Sequence, residues 1–125
     1  MGRIRQMIRV NGRECWTLFD SVARNTYLIQ SVASLLTTSK IKKTFRTALG
    51  GRIKEAAETA LLEAEIEGHR ISTHAMVIDE IGNDENGIPT EILFGTLAMQ
   101  QWGIRLIPEQ EKLDLSLYPE EFVEF

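Results

Sequence analysis

Hydrophobic and polar positions alternate in part from Ile4 to Val10, and a second apolar run extends from Cys15 to Phe19. Asn11-Gly12 lies between them, a dipeptide suited to a two-residue hairpin turn because both positions accept positive φ. The start of the chain therefore reads as a β-hairpin that ends at Asp20. Residues 27–36 are apolar with β-branched members, the stretch from Thr37 to Arg46 is polar and basic, and Leu49-Gly50-Gly51-Arg52 marks a flexible turn.

Residues 53–68 carry two patterns at once. Ile53, Ala56, Ala57, Ala60, Leu61 and Ala64 fit a helical stripe, and the Ala/Glu/Leu content favours helix. Leu62, Ala64 and Ile66 nevertheless alternate with Glu63, Glu65 and Glu67, as in a half-buried strand that ends at a Gly68 turn. Pattern alone predicts helix here. Ile71 to Ile81 is rich in β-branched residues and reads as a strand, and Gly82 to Gly87 as a loop. Thr90 to Phe94 is a further apolar strand stopped by Gly95. Thr96 to Trp102 has helical spacing, with Gly103 as its stop. Ile104 to Ile107 and Leu113 to Leu117 read as strands around a turn from Pro108 to Lys112. The expectation is an all-β chain with one short helix near its end, and the pattern-only alternative is α+β with a helix at 53–66.

The 125 residues suffice for one domain with a core, so a single domain over 1–125 is expected, and no internal repeat or long linker divides it. Hydrophobic content of 43% and charged content of 26% are ordinary for a water-soluble globular chain. No apolar run has the length of a membrane span, and the Arg-rich start lacks the apolar core of a signal peptide. The single cysteine, Cys15, has no partner for an internal disulfide, which fits a reducing cytoplasm. Its place in an apolar run points to an inert buried thiol.

The formal charge of −4 conceals an asymmetry: residues 1–54 carry +9 and residues 55–125 carry −13. A basic half is one signature of nucleic-acid contact. Here the basic residues are scattered, and no nucleic-acid motif accompanies them. The favoured reading is that the halves fold against one another or meet across a dimer.

Three stretches, taken in order, resemble the retropepsin-type aspartic proteases, the single-lobe family. Val10-Asn11-Gly12 followed by Leu18-Phe19-Asp20-Ser21-Val22-Ala23 is similar to the family's hairpin and its Asp-Ser/Thr-Gly-Ala signature. Ala48-Leu49-Gly50-Gly51 falls where the family has the glycine-rich flap that closes over substrate. Pro89-Thr90-Glu91-Ile92-Leu93-Phe94-Gly95, leading into Thr96 to Gly103, resembles the hydrophobic-hydrophobic-Gly motif before the family's helix. Glu67-Gly68-His69-Arg70 resembles a turn joining two family strands. The resemblance spans roughly residues 8 to 117. It implies a closed β-barrel lobe in which 53–66 is strand, with tertiary pairing overriding local helix propensity.

The resemblance also implies a function: an aspartic endopeptidase working as a homodimer, with Asp20 contributed by each of two subunits, because the chain has one such signature and the chemistry needs two carboxylates. Ser21 would support the acid pair. Val22, Ala23 and Arg24 would line the substrate channel with Asn25 near its rim, and Leu49, Gly50 and Gly51 would form the flap tip. The substrate would be an extended peptide whose apolar side chains fill alternate pockets. No metal or organic cofactor is implied. His69 and His74 are five apart, which on a strand places them on opposite faces, so they read as surface or core residues and not as metal ligands. Trp16 and Trp102 read as core or interface anchors. The acidic end reads as solvated, with Leu117-Tyr118 and Phe122-Val123 as segments that could dock on a partner.

The chain departs from the signature at Val22, where the family has glycine. A β-branched residue adds bulk, stiffens the backbone and disfavours positive φ. The expectation is a preserved fold and dimer with weakened proteolysis. The alternative is a non-catalytic peptide-binding or assembly module on the same fold, and a weaker third class is nucleic-acid binding by the basic half.

Overall fold

The computed structural model describes residues 2–122. Val123 and Glu124, part of the acidic end singled out above, lie outside the described residues. The first two strands, β1 (Arg3–Val10) and β2 (Arg13–Asp20), form the expected antiparallel hairpin around Asn11-Gly12. Both turn residues have positive φ, 50° and 82°. Register follows from that turn: Val10 faces Arg13, and seven steps back Arg3 faces Asp20.

The chain continues through β3 (Tyr27–Ile29), a one-turn helix α1 (Gln30–Ala33), and two long strands, β4 (Thr37–Leu49) and β5 (Arg52–Ile66). It then forms β6 (His69–Ile78), β7 (Ile92–Phe94) and helix α2 (Thr96–Gln101). The short strands β8 (Arg105–Ile107) and β9 (Lys112–Asp114) flank a 3₁₀ turn at Pro108–Gln110. Among the described residues, seven strands share one sheet in the order β1-β2-β7-β3-β6-β5-β4, and β1 also pairs with β5 at Arg9 and Glu65. That contact joins the sheet into a ring. β8 and β9 form a separate two-stranded sheet. The all-β expectation holds.

The helix predicted by pattern at 53–66 does not form. Ala56, Ala60, Leu62, Ala64 and Ile66 are buried, all at even positions, while Glu55, Ala57, Leu61, Glu63 and Glu65 are exposed. The odd positions of the apparent helical stripe thus point outward. β5 pairs with β4 on one side and β6 on the other, so neighbours satisfy its backbone hydrogen bonds and outweigh a propensity of tenths of a kcal/mol per residue. The polar stretch after Thr37 is also strand. It lies at the sheet edge, where exposed lysines are tolerated and discourage further pairing. The expected single helix, α2, is joined by α1, which is too short to leave a periodic signature.

The main core brings together Ile8, Phe19, Leu28, Leu62, Ile66, Ile92 and Phe94 with α2's Ala98 and Met99. Phe19 and Phe94 are paired across the parallel β2–β7 contact, with ring centroids 5.0 Å apart and planes inclined at 42°. A smaller cluster, Leu18, Tyr27, Ala56, Ile78 and Leu93, lies on the opposite face of the same strands. Two of its members, Leu18 and Leu93, line the site described below.

Part of the charge asymmetry is met within the chain. Arg5 pairs with Glu85, Arg13 with Glu91, Arg52 with Glu80, and Lys54 with Asp79 and Glu80, each linking the basic half to the acidic half. The tryptophans are anchors, as expected. Trp16 Nε1 donates to Asp84 Oδ2 at 3.1 Å, and Trp102 Nε1 donates to the Ser72 carbonyl at 2.8 Å. Tyr118, expected as a docking residue, packs its ring against His69, stacks on Trp102 and donates its hydroxyl to the Arg70 carbonyl of the same chain. Among the described residues no cluster of His, Cys, Asp or Glu could hold a metal ion, and no helix is long and apolar enough to cross a membrane.

Candidate functional site

β2 alternates between two faces: Phe19 enters the main core, while Leu18 and Asp20 turn to the other side. Asp20 is therefore delivered at the last position of a fully paired strand, and it is 5% exposed. Beyond it the chain makes a tight turn in which the Ala23 amide donates to the Asp20 carbonyl at 3.2 Å. The Val22 amide donates to Asp20 Oδ1 at 2.9 Å, and Arg3 Nε donates to Oδ2 at 3.2 Å.

The loop after Asp20 is held from below. Thr96 and Leu97, at the start of α2, donate their amides to the carbonyls of Ala23 and Arg24 at 2.7 and 3.1 Å. The Gly95 amide donates to Thr26 Oγ1 at 3.1 Å. A Cβ on Gly95 would lie 2.2 Å from the Asn25 carbonyl oxygen, so this close approach requires glycine. The hydrophobic-hydrophobic-Gly motif thus sets the loop's height against the helix, which explains why two segments some seventy residues apart act together.

A cleft of 710 Å³ opens beside Asp20. Its walls are mostly apolar, with Leu18, Val22, Ala23, Leu93 and Ile81 on one side. The tip of the β4–β5 hairpin contributes Ala48, Leu49 and Gly50. Leu49 pairs with Arg52, leaving Gly50-Gly51 as a two-residue turn with φ of 56° and 79°. Consecutive positive φ values are what glycine tolerates without penalty. Tyr27 Oη lies 2.8 Å from Thr47 Oγ1, which ties the hairpin's stem to β3.

The structure brings Asp20, Val22, Ala23, Leu49 and Gly50 to one cleft. Ser21, Arg24 and Gly51 do not line it. The Ser21 hydroxyl accepts the Gly2 amide at 2.7 Å, and Arg24 and Asn25 line a neighbouring cavity of 460 Å³. Gly2, Arg3, Leu18, Ala48, Ile81 and Leu93 were not identified from sequence. Arg3 had a signal: counting register outward from the Asn11-Gly12 turn places it opposite Asp20.

Val22 does not lie among the positive-φ residues, so valine is accommodated there without backbone strain, contrary to the expectation from its β-branching. The residue is 63% exposed and lines the cleft. Bulk in the site, not backbone conformation, is what distinguishes it from glycine.

Cys15 is fully buried in the main core, and its thiol is pushed up to about 11, chiefly by burial and secondarily by the nearby Glu91 carboxylate. The thiol thus stays neutral and sheltered. Iodoacetamide at pH 7.5 should leave Cys15 unmodified in the folded protein and alkylate it in urea, as read by mass spectrometry.

No protein-family model matches the sequence, and no curated protein is detectably similar to it. Solved structures do match. The retroviral protease-like domain of Ddi1 from Leishmania major superposes with a TM-score of 0.65 at 13% identity, covering 93% of this chain and 90% of that one. EIAV protease, solved with the inhibitor HBY-793, superposes with a TM-score of 0.56 at 20% identity, covering 84% of this chain and 92% of that one. The hairpin that delivers Asp20, the glycine-tipped β4–β5 hairpin and the strand–Gly–helix unit beneath the loop are thus parts of one architecture: this chain has the retropepsin-like fold.

Proposed function

We propose that the protein is a homodimeric aspartic endopeptidase that acts on an extended, largely apolar peptide, with turnover weakened by Val22. The observation that carries this reading is Asp20 itself, an almost buried carboxylate at a strand end, opening onto an apolar cleft beneath a glycine-tipped hairpin. One chain supplies one such carboxylate, so the active unit is a symmetric pair of chains with the two Asp20 residues facing each other.

The chemistry needs that pair. Two carboxylates about 3 Å apart cannot both ionise, so they share one proton near neutral pH and titrate as a unit. The ionised member takes a proton from a water held between them as the water oxygen attacks the scissile carbonyl carbon. The protonated member gives its proton to the carbonyl oxygen. The resulting gem-diol collapses, the C–N bond breaks, and the amine leaves with a proton returned by the pair. The β4–β5 hairpin would act as the flap, excluding water and offering backbone donors to the substrate. Ser21 would support the pair by fixing the loop.

Val22 tests this reading directly. Val22→Gly should raise kcat/KM on an apolar peptide by about tenfold or more at mildly acid pH, because the removed bulk lies where substrate and the second subunit approach. No gain from glycine, together with no effect of Asp20→Asn, would sink the catalytic assignment.

A second reading is favoured by the same side chain. With Val22 63% exposed in the cleft, the fold would serve as a peptide-binding or assembly module without turnover. Peptide binding retained in both the valine and glycine forms, with cleavage in neither, would establish that alternative. A nucleic-acid role has less support, since acidic partners already engage Arg5, Arg13, Arg52 and Lys54.

A further inference from the structure

Both oxygens of the Asp20 carboxylate are occupied within its own chain. Oδ1 accepts the Val22 amide, and Oδ2 accepts Arg3 Nε at 3.2 Å. Arg3 and Asp20 stand directly opposite each other in the β1–β2 ladder, so the hairpin itself brings them together. The residue before Arg3 is fixed on two sides. Gly2 donates its amide to Ser21 Oγ at 2.7 Å, and its carbonyl accepts the Ser21 amide at 3.1 Å. A Cβ on Gly2 would lie 2.7 Å from Pro108 Cγ, so the segment is also packed against the turn that joins β8 to β9. Among the described residues, Arg3 and Asp20 are the only charged ones that line the cleft.

We infer that Arg3 is a displaceable counter-ion that caps Asp20 in the single chain, and that Asp20 becomes available to a second subunit and a substrate only when the guanidinium swings away. This inference rests on the protease reading above. An oxygen that accepts a guanidinium N–H has less lone-pair density to offer a hydrolytic water. Two carboxylates that each keep their own guanidinium also lose the mutual repulsion by which such a pair retains one proton. Both effects oppose the chemistry.

The contact is built to release. The Asp20 side chain is 7% exposed, but that of Arg3 is 63% exposed, so the cation reaches water by rotating its own side chain while the carboxylate stays in place. A half-exposed pair of this kind is weak and screened by salt, so its grip should amount to roughly three- to tenfold in occupancy of the site.

The test uses the 125-residue chain and a peptide isostere whose hydroxyl replaces the tetrahedral centre, with binding measured by calorimetry at 20 and 300 mM NaCl. Arg3→Gln should bind the isostere about three- to tenfold more tightly than wild type at low salt. Raising the salt should strengthen wild-type binding toward that of the variant and leave the variant unchanged. Circular dichroism checks that Arg3→Gln is folded, and Arg3→Lys should fall between the two. Equal or weaker binding by a folded Arg3→Gln, or salt-independent wild-type binding, overturns the inference. The Arg3 Nε–Hε NMR signal provides a readout without ligand: it should move on Asp20→Asn, and a signal that stays put shows there is no such pair. If isostere affinity depends on Asp20 but not on Arg3, only the counter-ion role fails. If it is indifferent to Asp20→Asn, the protease reading itself fails.

Discussion

Asp20→Asn should abolish peptide cleavage, lowering kcat by about a thousandfold or more in the more active Val22→Gly background. The substitution is nearly isosteric. The asparagine carbonyl oxygen can still accept the Val22 amide that Oδ1 accepts at 2.9 Å, so the loop geometry should survive. What disappears is a group that can take a proton from water and return it. Circular dichroism and thermal midpoint should therefore match the parent while turnover vanishes. The proposed dimer adds a sharper consequence. When wild-type chains are mixed with a ninefold excess of Asp20→Asn and allowed to exchange, random pairing leaves about a tenth of them in fully competent pairs. Activity per wild-type chain should fall about tenfold, and an unchanged value would show that one carboxylate suffices.

Phe94→Ala should cost about 3–5 kcal/mol of folding free energy, among the largest effects of a single core substitution. Phe94 is fully buried, its ring packs against that of Phe19, and it immediately precedes Gly95. Removing its ring opens a cavity beneath the strand end that carries Asp20 and the motif that seats the following loop. The urea midpoint should drop while the dependence of stability on urea stays unchanged, and Phe94→Leu should lose about a third as much. A loss of less than about 1 kcal/mol for Phe94→Ala would mean that this ring pair does not organise the core.

Several elements were legible because their determinants are local. Asn11-Gly12 set a hairpin and its register, and with it the position of Asp20 at the strand end. Phe94-Gly95 followed by Thr96 announced a strand end and a helix start within a few residues. Gly50-Gly51 marked a hairpin tip, although nothing nearby could say what that tip would cover. Legibility failed where local preference and tertiary pairing disagree. Residues 53–66 contain good helix formers, and their even-numbered alternation acquires meaning only between β4 and β6. The β4 residues are mostly exposed along their whole length, so no buried face betrays the strand.

The candidate site divides along the same line. Asp20, Val22 and Ala23 could be identified because they are contiguous and framed by their neighbours. Leu18 and Leu93 belong to the cleft only because β2 and β7 run in parallel, and Ile81 joins it from a loop more than sixty residues away from Leu18. The place of Arg3 could have been counted from the turn, but its grip on Asp20 depends on side-chain reach and on Gly2 being pinned to Ser21 and Pro108.

Taken alone, the order of residues determined the β-rich class, the first hairpin, the strand–Gly–helix unit and the one carboxylate worth singling out, because turn chemistry and alternation act over a few bonds. Folding decided the strand identity of 53–66, the membership of the cleft, the unstrained backbone at Val22 and the ion pair on Asp20. Those features depend on which distant backbones pair and which side chains then share a face, and short-range preferences carry no information about that.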